Sequence, residues 1–405
     1  MQNILVTDGE NRSSLAVVRS LGKKGCRILV TAGQKRSLAS SSKYCDKSIS
    51  VPNPMKNGNE YAQILKKIVG KEGIDVVFPM SDSSIFLLNE IRDQFPEKVI
   101  IACSTADKME AVSNKFKLFQ LAEKLKLPTP CTHYLTGQDD LPALVREIDK
   151  YPVVVKPAMS RIVHGNGFLS GGVKYASSRE ELESLYKTSP VLEYPSMIQE
   201  KIVGPGTGLF TLFNRDRHLA LFSHRRIREK PPSGGVSVVS ESVPLDEEMI
   251  ENASRLLSAT AWQGVAMVEF KRDNRDGKAK LMEINGRFWG SLQLAISCGV
   301  DFPGLFLDLL MGKKMTQVKE YRTGHKMKWF FGTLDHLYIR LKNNDETLNL
   351  PSGSPTKFRA FLDFMKIWEK DAFFDVFDRN DIGPFLFEAR NYFRLEKFFP
   401  RQSIT

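Results

Sequence analysis

Two apolar runs, residues 264–270 and 278–284, flank the polar turn Asp273-Asn274-Arg275-Asp276-Gly277, and this stretch constrains the fold more than any other. Apolar strands joined by an Asp/Asn/Gly turn form an antiparallel hairpin. With the hairpin symmetric about Asp276, Glu269 falls opposite Glu283. Like charges directly opposite on neighbouring strands repel, so such a pair in a core strand calls for a cation between them. The two-residue period of a strand then puts Asn285 on the face of Glu283, with Met282 and Ile284 turned the other way. Two carboxylates and an amide oxygen on one face suit Mg²⁺, a hard cation that takes oxygen ligands, and they also admit Mn²⁺. The alternative is a solvated hairpin face, but the flanking strands have core composition. Arg287 follows two residues after Asn285. Its donor fork suits a phosphate or carboxylate, or it forms a structural ion pair with Glu269 or Glu283.

The first hundred residues carry a different pattern. Short apolar runs at 3–7, 27–31, 75–78 and 98–103 alternate with helical patterns at 13–21, 61–69 and 85–91. Such alternation builds a doubly wound parallel sheet of the α/β class. The first turn, Thr7-Asp8-Gly9-Glu10-Asn11-Arg12-Ser13, lacks the GxGxxG spacing of a nicotinamide site. From about residue 105 the pattern becomes mixed α+β. A helix over 115–125 runs into Leu127-Pro128-Thr129-Pro130, whose prolines end it. Strands follow at 152–156, 197–200, 208–213 and 218–223, then a helix at 247–259 and the hairpin. The expected domains are 1–104, 105–312 and 313–405. In the last of these, 11 of the 26 phenylalanines fall after residue 357, interleaved with basic residues, which marks a separate module.

Composition narrows the function classes. Five scattered cysteines form no CxxC pair, so neither a disulfide framework nor a zinc site is expected. The start lacks a signal-peptide pattern and no apolar run reaches membrane-spanning length, which points to the cytoplasm. The formal net charge is +11. No nucleic-acid-binding signature accompanies it, and anionic small substrates or an anionic membrane account for the sign equally well. The motifs GxxxxGK[ST], HExxH and GxSxG are absent.

The pattern Glu269 … Glu283-x-Asn285-x-Arg287 resembles the ATP-grasp superfamily, nearest to its biotin carboxylase and carbamoyl-phosphate synthetase branch. The likeness extends over most of residues 1–312: a nucleotide-fold-like N-terminal domain followed by an ATP-clamping domain. It implies that Glu269, Glu283 and Asn285 hold the metal and that Lys115, in Ser113-Asn114-Lys115, contacts phosphate. Lys156, closing the apolar strand Pro152-Val153-Val154-Val155-Lys156, fits the second phosphate lysine; a lysine there needs an anionic partner. The loop 158–172, with Arg161, His164, Gly165, Asn166 and Gly167, is expected to cover the phosphates with backbone N–H groups. Glu200 fits the adenine hinge, with Lys201 to Val203 offering backbone groups to the purine edge. The ribose contact is left open.

The resemblance implies transfer of the γ-phosphoryl of ATP to a carboxylate, giving an acyl phosphate that an amine then displaces. Such chemistry depends on positioning, Mg²⁺ and cationic clamps rather than on a protein nucleophile. Arg287 is expected to stabilise the transferred group. The basic run Ser223 to Gly235 is the expected acceptor site, with Arg226 and Arg228 on one strand face as catalytic candidates. Its alternative is a solvated basic loop. An ATP-dependent enzyme with another acceptor, such as bicarbonate, and a non-catalytic nucleotide-binding protein are the rival readings. For residues 313–405, a specificity or homodimer module and docking on an anionic membrane stand as alternatives, the latter because Phe, Trp and basic residues alternate from Lys357 to Arg401, although an aromatic stripe more often packs into a protein core.

Overall fold

The computed structural model describes residues 1–393 apart from 233, 346, 349, 351–353, 367, 368 and 370. The N-terminal unit contains β1 (Asn3–Val6), α1 (Arg12–Lys23), β2 (Arg27–Ala32), β3 (Lys47–Ser50), α2 (Gly58–Glu72), β4 (Val76–Phe78), α3 (Asp82–Glu90) and β5 (Ile100–Ile101). Its strands form a parallel sheet in the order β3-β2-β1-β4-β5. Both faces are covered. Ile4, Val6, Ile28 and Val30 face one core, and Leu5, Leu29 and Val77 face another with Tyr61 and Leu65 of α2. That double burial is why β1 and β2 are continuous apolar runs rather than alternating ones. The edge strand β3, Lys47-Ser48-Ile49-Ser50, has no fully buried residue, so it carries no apolar run to mark it.

The chain continues through α4 (Ala106–Ser113) and α5 (Lys115–Lys124). Asn114 caps α5 by accepting from the Lys117 N–H at 3.2 Å. The helix stops before its prolines, and Lys126 adopts a left-handed φ of 53°. Next come β6 (Thr132–Leu135), α6 (Leu141–Leu144), β7 (Val153–Pro157), β8 (Arg161–His164), β9 (Gly167–Ser170), β10 (Lys174–Ala176), α7 (Arg179–Thr188) and β11 (Ser196–Glu200). Four of these strands form an antiparallel sheet, β10-β7-β11-β6, and β8–β9 stands apart as a hairpin.

The third sheet draws on β12 (Gly206–Asn214), β13 (Arg217–Lys230), β14 (Val236–Ser242), β15 (Gly264–Arg272), β16 (Ala279–Asn285), β17 (Lys326–Lys328) and β18 (Ala372–Phe374). Their order is β16-β15-β12-β13-β14-β17-β18. Helices α8 (Glu247–Ala259), α9 (Leu292–Cys298), α10 (Phe302–Leu310), α11 (Phe330–Lys342), α12 (Lys357–Met365) and α13 (Gly383–Tyr392) complete the chain. Gly204 joins the two antiparallel sheets. A Cβ there would lie 1.8 Å from the Arg272 carbonyl oxygen, so only glycine fits the crossing.

Residues 313–393 do not form a module set apart, as the composition suggested. Strands β17 and β18 extend the seven-stranded sheet, and Asp381 forms a buried ion pair with Arg19 of α1 at 2.8 Å. Arg12 pairs likewise with Asp375. Removing one partner of a buried pair costs on the order of 3–5 kcal/mol, so these contacts bind the C-terminal segment firmly to the N-terminal unit. Many of its aromatic rings are packed: Phe331 lies 5.6 Å from Phe385 and 4.6 Å from Tyr392. The stretch 394–401 of the aromatic and basic run lies outside the described residues. Among the described residues no single helix is long and apolar enough to cross a membrane.

Candidate active site

The β15–β16 hairpin places Glu269 directly opposite Glu283. The route to this register is indirect. Next to the turn, Phe270 pairs with Leu281 and Lys271 with Lys280, which alone would set Glu269 against Met282. A β-bulge at Met282 shifts the pairing by one residue. The bulge also corrects one expected orientation. Leu281 and Ile284 enter the core, whereas Met282 does not.

Two lysines from other elements meet these carboxylates. Lys115, the first residue of α5, puts its Nζ 3.4 Å from Glu283 Oε2 and donates to Ser160 Oγ at 2.9 Å. Lys156, near the end of β7, is buried, and its ammonium lies 5.7 Å from the Phe119 ring centroid. Burial pushes Lys156 down to about 8, against the pull of Glu283 and Glu269 and with the help of Lys115. Asn285 Nδ2 donates to Glu283 Oε1 at 2.9 Å. The two carboxylates diverge. Burial and the neighbouring Glu283 raise Glu269 in spite of Arg226. On Glu283 the effect of burial is outweighed by Lys115, Asn285, Lys156 and Arg287, which hold it below the usual range. Two facing carboxylates with an amide beside them fit Mg²⁺ or Mn²⁺ as a partial set of oxygen ligands. Among the described residues no cluster of three His, Cys, Asp or Glu exists to form an all-protein cage. A divalent ion here would need phosphate and water oxygens to complete its shell, which is how Mg²⁺ is usually held.

Arg226 and Arg228 are separated. A bulge at Ile227 interrupts the pairing of β13 with β14. Arg226 bonds Glu269 at 2.5 Å and Glu229 at 2.8 Å, so it belongs to the carboxylate cluster. Arg228 instead reaches Asp363 of α12 at 3.3 Å, which removes it from the site. Arg287 donates from Nε to Asp82 Oδ1 at 2.9 Å and from Nη2 to Asn285 Oδ1 at 3.4 Å. Its carboxylate partner therefore comes from the N-terminal unit, and neither Glu269 nor Glu283 fills that role. His224 is no candidate base: burial pushes it down to about 3, and its Nε2 lies 2.6 Å from Ser291 Oγ.

The loop 158–172 brings Ser160, the partner of Lys115, beside the carboxylate cluster. It forms the β8–β9 hairpin, whose tip docks on the N-terminal unit. Gly58 N donates to Asn166 O at 3.1 Å, and Phe168 N donates to Met55 O at 3.1 Å. A Cβ on Gly167 would meet the Met55 carbonyl at 2.3 Å, so close approach alone calls for glycine there. His164 and Gly165 are exposed at this tip, with His164 Nδ1 3.4 Å from Tyr194 Oη. None of the three is gathered with the lysines. At the expected hinge, Glu200 accepts from Cys131 N at 3.0 Å and pairs with Arg275 at 2.8 Å. Lys201 stacks its ammonium over Tyr175 at 5.6 Å, and the Val203 carbonyl accepts from Asn274 N. Among the described residues the N–H groups of Lys201 and Val203 bond no protein acceptor, which suits a purine edge.

A cavity of about 870 Å³ lies beside Arg287, at the carboxyl ends of the parallel strands. The loop after β1 and the first turns of α1 and α3 supply Asp8, Arg12 and Asp82, at the point where the strand order reverses. Open α/β sheets bind ligands at such a crevice. Arg161, Lys230 and Trp329 close the far side. Asp8, at a left-handed φ of 53°, accepts from Ser81 Oγ at 2.9 Å and Ser84 Oγ at 3.0 Å. The sequence reading missed Asp8, Asp82 and Ser160. The only signal for Asp8 was its place directly after an apolar strand.

A family described as "ATP-grasp in the biosynthetic pathway with Ter operon" matches residues 222–332, the segment that holds Arg226, Glu269, Glu283, Asn285 and Arg287. A second, "PylC-like, N-terminal domain", matches residues 4–103. Among solved structures the chain is similar to an L-amino acid ligase from Bacillus licheniformis, with TM-score 0.60, 18% identity, and 80% of this chain and 78% of that one covered. It is also similar to an N5-carboxyaminoimidazole ribonucleotide synthetase in its ADP complex, with TM-score 0.64, 15% identity, and 84% and 86% covered. Biotin carboxylase from Campylobacter jejuni gives TM-score 0.63, 16% identity, and 80% and 74% covered. At these identities the likeness is one of fold. No curated protein matches the chain.

Proposed function

Since the chain belongs to the ATP-grasp superfamily, with a PylC-like N-terminal domain, we propose that it is a ligase that joins a carboxylate to an amine, with ATP converted to ADP and phosphate. The observation that carries this reading is the pairing of Glu269 with Glu283 under Lys115 and Lys156, next to a cavity that shares Arg287 with the cluster. The γ-phosphoryl group passes to a carboxylate oxygen, and the amine then attacks the acyl carbon and releases phosphate. Glu269, Glu283 and Asn285 would hold Mg²⁺, which when bound offsets phosphate charge and orients the transferring group.

The remaining work falls to side chains of the chain itself. Lys115 and Lys156, beside the carboxylates, neutralise phosphate oxygens. Burial disfavours the charged form of Lys156 in spite of Glu283 and Glu269, so a bound phosphate adds the negative charge that stabilises its ammonium. Arg226 pairs with Glu269 and pulls it toward the charged form, opposing the effect of burial. Arg287, oriented by Asp82 and Asn285, presents its guanidinium to the cavity where the carboxylate would sit. No protein nucleophile is needed, because both bond exchanges occur between substrates held in place.

The cavity supports an organic acceptor. Its volume of about 870 Å³ exceeds what bicarbonate requires and falls in the usual range for small-molecule sites. Its lining is of mixed sign, with Asp8, Glu10 and Asp82 against Arg12, Arg161 and Lys230. This favours an acceptor site in the N-terminal crevice over the run 223–235, from which Lys230 reaches the cavity wall. A coupled ADP-release screen of carboxylates crossed with amino acids and amino sugars tests the proposal. ADP should form only when both partners are present. Release with bicarbonate alone, or with neither partner, would sink it.

A further inference from the structure

Helix α12 turns its apolar side outward. Phe358 is 70% exposed, Phe361 43%, Leu362 40% and Met365 58%, at the i, i+3, i+4, i+7 spacing that a buried helix face would show. With roughly 100° per residue, these four share one sector. Lys357 stands on one flank, and Arg359 and Lys366 stand on the other, all exposed. Ala360, on the opposite side, is buried. The adjoining α11 leaves Tyr338 and Leu341 exposed, with Lys342 Nζ 5.7 Å from the Tyr338 ring centroid. This corner contrasts with Phe331, Phe385 and Tyr392, whose rings pack on one another.

The helix is held in this orientation. Arg340 Nη2 donates to Pro355 O at 2.6 Å, and Lys357 Nζ donates to Leu341 O at 3.0 Å. Asp363 is shared by Arg228 at 3.3 Å and by Arg359 and Lys366 at 3.5 Å each. One carboxylate among three cations leaves the corner positive, in keeping with the formal net charge of +11.

We propose that the α11–α12 corner is a docking surface for an anionic lipid bilayer. Apolar side chains flanked by lysine and arginine are what an interfacial helix requires: the rings enter the acyl boundary and the cations meet lipid phosphates. Phenylalanine and methionine, uncharged and flexible enough to insert, suit that role. A second copy of the chain fits less well. Six exposed side chains are far fewer than the roughly 20–30 residues that each partner gives to a stable interface. The contact would be peripheral, because the apolar pair α9–α10 has its side chains in the protein core and no single described helix is long enough to span.

Flotation of the full-length protein with vesicles of phosphatidylcholine alone, and with about a third phosphatidylglycerol, tests this. Binding is expected only to the anionic vesicles and should weaken with salt. The F358S/F361S variant should lower the partition coefficient by about tenfold. Neutralising Lys357, Arg359 or Lys366 to Gln should lower it roughly fivefold each. Both phenylalanines are exposed, so an unchanged thermal melt is expected for the variant. Failure of the wild type to float, or flotation unchanged in F358S/F361S, would overturn the proposal. A wild-type dimer that F358S/F361S converts to monomer would overturn it in favour of self-association.

Discussion

Strands β16 and β13 carry the same kind of pattern, polar side chains two residues apart: Glu283 and Asn285 on one, Arg226 and Arg228 on the other. Both strands are bulged, and the position of the bulge decides the outcome. On β16 it falls at Met282, before the pair, so Glu283 and Asn285 stay together and face Glu269. On β13 it falls at Ile227, inside the pair, and sends Arg226 to Glu269 and Arg228 to Asp363. Period-two reasoning therefore holds only between bulges. A cluster of like residues is a site only where the backbone keeps its register.

Substitutions can break or sharpen this contrast. The largest effect is expected at Glu283→Gln, which keeps the shape and removes the charge shared by Lys115 and Lys156. Turnover of ATP should fall on the order of 10²–10³-fold with the thermal melt unchanged, as steady-state ADP release would show. Next, Arg226→Ala should slow turnover about 10–100-fold by leaving Glu269 without its cation, whereas Arg228→Ala should change it less than about threefold. Glu269 is already raised by burial and by Glu283, and losing Arg226 raises it further. The acidic limb of the pH–rate profile should therefore move to higher pH in that variant alone. Equal losses from the two arginines would erase the distinction between the strands.

A smaller effect concerns Lys156, whose ammonium is held down to about 8 in the ligand-free protein. ATP phosphates need the protonated form. Affinity should be full below pH 8 and fall as pH rises through it, by about tenfold from pH 7 to 9. Titration calorimetry would check this, and Lys156→Arg should flatten the dependence. The smallest effect is expected from deleting Met282. Leu281, Glu283, Ile284 and Asn285 would then alternate as in an unbulged strand, with Glu283 still opposite Glu269. Stability should shift by no more than about 1–2 kcal/mol and turnover by less than about threefold. A loss comparable to that of Glu283→Gln would mean that the bulge itself is required.

Much of this was legible in the sequence. Continuous apolar runs announced β1, β2 and β4, and the turn Asp273 to Gly277 announced the hairpin. The Glu269–Glu283 pairing was legible for an incomplete reason, since symmetry about Asp276 mimics a shorter turn plus a bulge. Long-range partners were not legible. Nothing local ties Arg287 to Asp82, Lys115 to Ser160 or Arg19 to Asp381, because those pairs depend on how separate units pack. Glycine in the β8–β9 hairpin serves two needs alike, backbone donors and close approach, and the approach of Gly167 to Met55 is visible only in the packing. The phenylalanines after residue 357 likewise look uniform in sequence, yet Phe385 packs and Phe358 does not.

The most direct test of the acyl-phosphate route follows the carboxylate oxygen. The carboxylate from the best pair in the ADP-release screen would be labelled with ¹⁸O and turned over, and the released phosphate examined by ³¹P NMR. Transfer of one ¹⁸O to each phosphate is the expected result. Unlabelled phosphate formed together with the amide product would contradict the assignment.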